Sequence, residues 1–137
     1  MNMRKSVIRI VVIGAILNSQ MVLAEHFNGH VNVTVGALSP AAKQGQQAYD
    51  KSCASCHGNN GEGTLEGPPL IHDIYNPGHH SSRAFYSAVR NGVKSHHWPY
   101  GDMPPQSDVG FSDITAIVKF IREVQQQNGI VRREHKM

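Results

Sequence analysis

Both cysteines of the chain fall within one short stretch, Cys53-Ala54-Ser55-Cys56-His57-Gly58, and a histidine follows the second directly. Two thiols three positions apart can reach the two vinyl groups on one edge of a haem and bond each through sulfur. The imidazole that follows then lies under the iron. The pattern C-x-x-C-H is therefore read as a covalent haem attachment site, with Cys53 and Cys56 as the anchors and His57 as an axial ligand. The pair has three plainer uses: a structural disulfide, a thiol redox site, or half of a zinc site. Zinc wants further cysteines or a spaced histidine pair, and a thioredoxin-like site wants a surrounding βαβ pattern that the sequence lacks.

The compartment follows from the other end of the chain. Arg4, Lys5 and Arg9 precede an apolar run from Ile10 to Leu17, a polar patch at Asn18 to Gln20, and Val22-Leu23-Ala24. This is the layout of a secretory signal peptide over residues 1–24, with cleavage expected after Ala24. An uncleaved anchor needs about 20 apolar residues, and the polar patch stops the run short of that. Three of the 13 basic residues lie in the leader, and the remaining ten balance ten acids that all follow Ala24. The mature chain is thus formally neutral, and two haem propionates would tip it negative, which argues against nucleic acid as a partner. With both cysteines committed to haem, the haem itself is expected to serve as the staple that so small a core requires.

Residues 25–38 form an N-terminal arm in which Val31, Val33 and Val35 alternate with Asn32 and Thr34, as a short strand or an irregular segment would. Ser39-Pro40 reads as an N-cap followed by proline at the first helical position, opening a helix to about Lys51. Ala41, Gly45, Ala48 and Ser52 share one side of it, with Tyr49 at the edge. Such small residues permit close approach of another helix. Glycine and proline then dominate from Gly58 to Pro69, as in a loop wrapped around a cofactor, and a proline carbonyl there is expected to receive the Nδ1–H of His57. A second helix is predicted from Ser81 or Ser82 to Asn91, with Phe85, Ala88 and Val89 inward and Gly92 closing it. The last begins near Ser112. It carries Ile114, Ile117, Val118, Ile121 and Val124 on one stripe beside Phe120, and Thr115, Lys119, Arg122, Glu123 and Gln126 on the other face. Residues 130–137 read as a basic, solvated tail.

Three main helices around a glycine-rich loop and one covalent haem give an all-α fold. The chain resembles the class I monohaem cytochromes c over residues 40–127: the early helix with Gly45 and Tyr49, the motif from Cys53 to His57, Gly67-Pro68 ahead of Leu70, Met103-Pro104, and the closing amphipathic helix with Phe120 all match. The resemblance implies a small cytochrome c-like fold over 39–129, in which the first and last helices cross at Gly45 and Phe120.

For the sixth iron ligand the residues themselves leave a choice. Met103, in Gly101-Asp102-Met103-Pro104-Pro105, offers a thioether on a chain that glycine can turn and proline can stiffen. His79, His80, His96 and His97 offer imidazoles, and an open position is a third possibility; the histidine pairs also suit a surface copper or zinc site. The resemblance points to Met103. Trp98 and Tyr100 are expected beside the haem, either packing on it or donating to a propionate, and Pro68 on its His57 side. Arg83 and Arg90 are candidates for propionate neutralisation, although a solvated helix face is the commoner fate of such residues.

The function so implied is single-electron transfer by a periplasmic or secreted carrier, between a donor dehydrogenase and an oxidase or reductase, with no catalytic residues of its own. Membrane association is not indicated once the leader is removed. The alternatives are a small haem subunit committed to a larger dehydrogenase or oxidase complex, and a haem sensor or peroxidase with a labile sixth ligand.

Overall fold

Ser39 does two jobs where the first helix begins. In the computed structural model, which describes residues 31–134, Ser39 is extended and its Oγ accepts from the Ala42 N–H at 3.2 Å, capping α1 (Pro40–Ser52) with Pro40 in the first turn. The same hydroxyl donates to Glu123 Oε1 at 2.6 Å and the Ser39 N–H donates to Oε2 at 3.0 Å. These bonds hold the Glu123 carboxyl below the ordinary carboxylate range and latch the start of α1 to α4 (Phe111–Gln127). Between them lie a single turn, α2 (Ala54–His57), a 3-10 turn at Asp73–Tyr75, and α3 (Ser82–Asn91). The expected leader, residues 1–24, lies outside the described residues.

The described chain is helical. It holds no strand among the described residues beyond an isolated bridge between Val93 and Met103, which bears out the all-α expectation. No helix among the described residues is long and apolar enough to cross a membrane.

The core forms where α1 crosses α4. A Cβ on Gly45 would stand 1.9 Å from the Ala116 carbonyl oxygen and 3.0 Å from Phe120 Cβ, so the backbones meet at a distance only glycine permits. Tyr49 and Phe120 are both fully buried, with ring centroids 5.3 Å apart. The buried face of α1 is Ala42, Gly45 and Tyr49, turned from the expected one so that Ala41 is exposed. Burying the tyrosine ring removes far more apolar surface from water than burying a methyl group, and the helix rotates to do so. The α4 stripe is buried as its periodicity predicts.

Three polar residues of α4 depart from the expected pattern. Gln125 is fully buried, donating from Nε2 to the Leu70 and Tyr75 carbonyls at 2.8 and 3.2 Å. Arg122 donates to Gln125 Oε1 at 2.6 Å, to the Tyr75 carbonyl at 2.8 Å and to the His80 carbonyl, and its guanidinium lies over the Phe85 ring. Glu123, also placed on the solvent face by sequence, holds Ser39. The loops crossing α4 bring carbonyls and amides that water no longer reaches, and these side chains satisfy them.

The arm keeps its alternation, with Val31, Val33 and Val35 half-buried between exposed Asn32 and Thr34. Its backbone pairs with side-chain amides instead of a strand: Asn128 accepts from the Thr34 N–H at 2.9 Å and donates back to its carbonyl at 2.7 Å. Gln127 does the same for the Gly36 N–H, at 2.8 Å, and the Ala37 carbonyl, at 2.9 Å. The tail, expected to be solvated, is exposed over residues 131–134. Even so, Arg133 reaches Asp73 at 3.1 Å and its N–H donates to Asn76 Oδ1 at 3.2 Å.

In most helix interiors alanine is favoured over glycine by about 1 kcal/mol. At position 45 the order should reverse: Gly45→Ala is expected to destabilise the protein by about 1–3 kcal/mol through overpacking, read from the urea unfolding midpoint. Equal or greater stability in the variant would contradict the close crossing.

Candidate cofactor site

Helix α1 ends by handing its last turn directly to the cysteine motif. The Cys53 N–H donates to the Tyr49 carbonyl at 2.8 Å, and Cys53 in turn opens α2, accepting from the His57 N–H at 2.9 Å. Cys53 and His57 are four residues apart across this turn and share a face. Both line one cavity of about 590 Å³, whereas Cys56 is exposed and stands outside the lining. Neither cysteine is in a disulfide. Burial, and then the neighbouring Cys56, push the Cys53 thiol up to about 11, which keeps it protonated at neutral pH.

The glycine-rich loop folds back over the motif. Gly58, at φ 78°, ends α2, and a Cβ there would meet Glu62 Cγ at 2.6 Å. Its carbonyl accepts from the buried Tyr49 hydroxyl at 2.8 Å, and burial drives that hydroxyl far above the ordinary phenol range. At Gly67 a Cβ would lie 2.8 Å from the Cys56 carbonyl oxygen, so the absent side chain lets the loop close on the motif. Thr64 Oγ1 donates to that same carbonyl at 2.6 Å. The result places the Pro68 carbonyl 2.9 Å from His57 Nδ1.

That contact fixes the histidine's chemistry. A carbonyl only accepts, so Nδ1 carries the proton and Nε2 keeps the lone pair. Burial lowers the His57 pKa, with the Pro68 bond opposing it; the ring is therefore neutral and able to ligate.

Met103 reaches the cavity from the loop between α3 and α4. Its N–H and C=O are both paired with Val93 at 2.9 Å, and Gly92, at φ 74°, accepts a Met103 carbonyl that a Cβ would approach to 2.5 Å. An ion pair between Lys94 and Asp102 at 2.5 Å, with the Ser95 N–H on Asp102 Oδ1 at 2.9 Å, closes the base of the intervening loop. Trp98 and Tyr100 from that loop also line the cavity. The Trp98 ring packs edge-on to His72 with centroids 5.1 Å apart. Its indole bears on the Tyr75 hydroxyl, which burial pushes up to about 12 against that pull.

Much of the remaining wall is apolar, with Leu70, Phe85, Val89, Ile117 and Ile121. The volume falls within the range of about 300–1,000 Å³ typical of cofactor pockets. Largely apolar walls, the neutral His57 imidazole, one thioether and a thiol suit a flat macrocycle with a soft metal centre, so the residues present fit a haem. Cys53, His57, Pro68, Trp98, Tyr100 and Met103, which sequence reading assigned to the site, line the cavity, and Cys56 and the alternative ligand His79 do not. Arg83 and Arg90 are exposed on α3 and do not line it. Sequence reading missed Tyr75, and it did not foresee that the two histidine pairs meet: His80, His96 and His97 also form part of the wall. The repeated His-His dipeptide was the only signal for that.

Comparison with known proteins gives a family and a likeness. The profile of the family described as cytochrome c matches residues 42–125. Among solved structures, the chain is similar to cytochrome CL from the marine methylotrophic bacterium Methylophaga aminisulfidivorans. The two are 24% identical with a TM-score of 0.49, over 71% of this chain and 69% of that one. No curated protein matches the chain.

Replacing Tyr49 with Phe removes the donor that holds the Gly58 carbonyl inside the core. The expected loss is about 1–3 kcal/mol of stability, measured by denaturant unfolding; an unchanged midpoint would mean that this bond does not hold the motif loop in place.

Proposed function

The chain belongs to the cytochrome c family, whose members carry covalently bound haem c, and on that premise we propose that it is a monohaem electron carrier of the periplasm. One observation carries this reading: His57, Met103 and Cys53 line a single, mostly apolar cavity, and His57 is held in its ligating tautomer by Pro68. The haem, when bound, supplies an iron that gains and loses one electron.

The roles of the chain's own residues follow. Cys53 and Cys56 provide the two sulfurs for thioether attachment. His57, through the Nε2 lone pair, and Met103, through its sulfur, are the residues that would hold the iron, and the Nδ1–H bond to Pro68 orients the His57 ring and raises its basicity. The soft sulfur of Met103 favours the reduced metal and a higher potential, as outer-sphere transfer to an oxidising partner requires. Backbone pairing with Val93 fixes Met103 from both its N–H and its C=O, and its place in Met103-Pro104, which resembles the motif of this family, supports it over the histidines of the neighbouring loops. Apolar side chains from α3 and α4 line much of the cavity. No group transfer is needed, so the reading requires no catalytic residue.

The proposed location rests on the leader-like residues 1–24. A donor dehydrogenase and an acceptor oxidase or reductase are the proposed partners, each meeting the carrier through a small, transient contact.

The oxidised protein is expected to show the weak near-infrared sulfur-to-iron band and to resist cyanide, and the reduced protein to resist carbon monoxide. Met103→Ala should abolish the band, lower the midpoint potential and admit both ligands. A native protein without the band, or a variant that keeps it, would contradict Met103 ligation; avid binding of carbon monoxide by the native protein would favour a sensor or peroxidase instead.

A further inference from the structure

Two histidine pairs, seventeen positions apart in sequence, are brought together by the loops on either side of α3. His79 Nε2 and His97 Nε2 stand 3.4 Å apart. Taking one ligand nitrogen from each of His79, His80 and His97, all three lie within 4.8 Å of one another. Imidazole nitrogens bound at about 2.0–2.1 Å to a tetrahedral zinc stand about 3.3–3.4 Å apart. The first pair already has that spacing.

The surroundings are those of ligands held for a metal. His80 Nδ1 lies 2.7 Å from the Ile74 carbonyl. Because a carbonyl only accepts, His80 donates from Nδ1 and keeps its lone pair on Nε2, the arrangement that carbonyls impose on metal-binding histidines. The backbone beneath is also fixed. The His79 and His80 N–H groups donate to the Asn76 carbonyl at 3.1 and 2.9 Å, Asn76 is itself buried, and the His80 carbonyl accepts from Arg122. Across the gap, Ser95 Oγ donates to the Trp98 carbonyl at 2.5 Å, closing the turn that presents His97. His79 and His97 are exposed and His80 is half-buried, so an ion can enter from solvent and keep a water as its fourth ligand.

We propose that His79, His80 and His97 form a three-imidazole site for a divalent transition metal of the zinc class, clipping the loop before α3 to the loop after it. The protein supplies no oxygen ligand, which selects against magnesium and calcium. The site is separate from the iron ligands proposed above, and it does not depend on them. Because His80 and His97 also belong to the cavity wall, a bound ion would brace that wall.

The test uses the exported holoprotein, freed of metal by dialysis against a chelator and titrated with zinc by calorimetry, with metal content measured after desalting. One zinc per chain is expected, together with a raised thermal midpoint, since an ion that binds only the folded state stabilises it. The single variants His79→Gln and His97→Gln alter exposed side chains and should each weaken binding by more than about tenfold, and the double variant should abolish it. The near-infrared band should persist in His79→Gln, whose side chain lies outside the cavity lining. Excess magnesium should not displace the zinc. Absence of one-to-one binding, retention of zinc by the double variant, or displacement by magnesium would each overturn the site. Loss of the band in His79→Gln would overturn the site and show this side chain serving the iron.

Discussion

The approach of α1 to α4 at Gly45 governs where everything else in the molecule can stand. Lacking a side chain there, the first helix lies against the Ala116 carbonyl and brings Tyr49 onto Phe120. Tyr49 then reaches the Gly58 carbonyl, and α1 delivers Cys53 to the cavity wall. The cysteine motif is thus positioned by a helix crossing whose Tyr49, Ile117 and Ile121 also line the cavity. A small protein with little apolar area cannot hold such a motif by packing alone. Directional bonds from the core to the loop make up the difference.

Those bonds also explain why α4 is more polar than a core helix usually is. Gln125 and Arg122 satisfy the carbonyls of Leu70, Tyr75 and His80, while Glu123 holds the amide and hydroxyl of Ser39. Gln127 and Asn128 stand in for a neighbouring strand along the arm. One helix therefore orders three separate irregular segments, which would otherwise leave backbone groups buried without partners.

Much of this was legible in the sequence. The cap at Ser39-Pro40, the closing glycine at position 92 and the apolar stripe from Ile114 to Val124 each follow from local chemistry, and the structure places them as read. A proline carbonyl as acceptor for His57 followed from the position of the prolines after the motif, and the structure makes it Pro68. What escaped was tertiary in origin. The rotation of α1 depends on where Phe120 lies, and the burial of Gln125 depends on a loop fifty-five positions earlier. The meeting of His79 with His97 depends on how α3 spans the gap between their loops. Periodicity ranks a glutamine or an arginine as surface because most are, and it carries no information on which carbonyls arrive to meet them. The same limit applies to Cys56, which the motif pairs with Cys53 but which the turn of α2 leaves exposed.

The account stands on a covalent link between this chain and one haem, formed by Cys53 and Cys56. Intact mass spectrometry of the exported protein, after denaturation and extraction with acidified acetone, tests that link most directly. The account predicts a coloured protein whose mass exceeds that of the polypeptide by one haem, and loss of that increment when both cysteines are replaced by alanine. A colourless product, or a bare polypeptide mass after extraction, would contradict it.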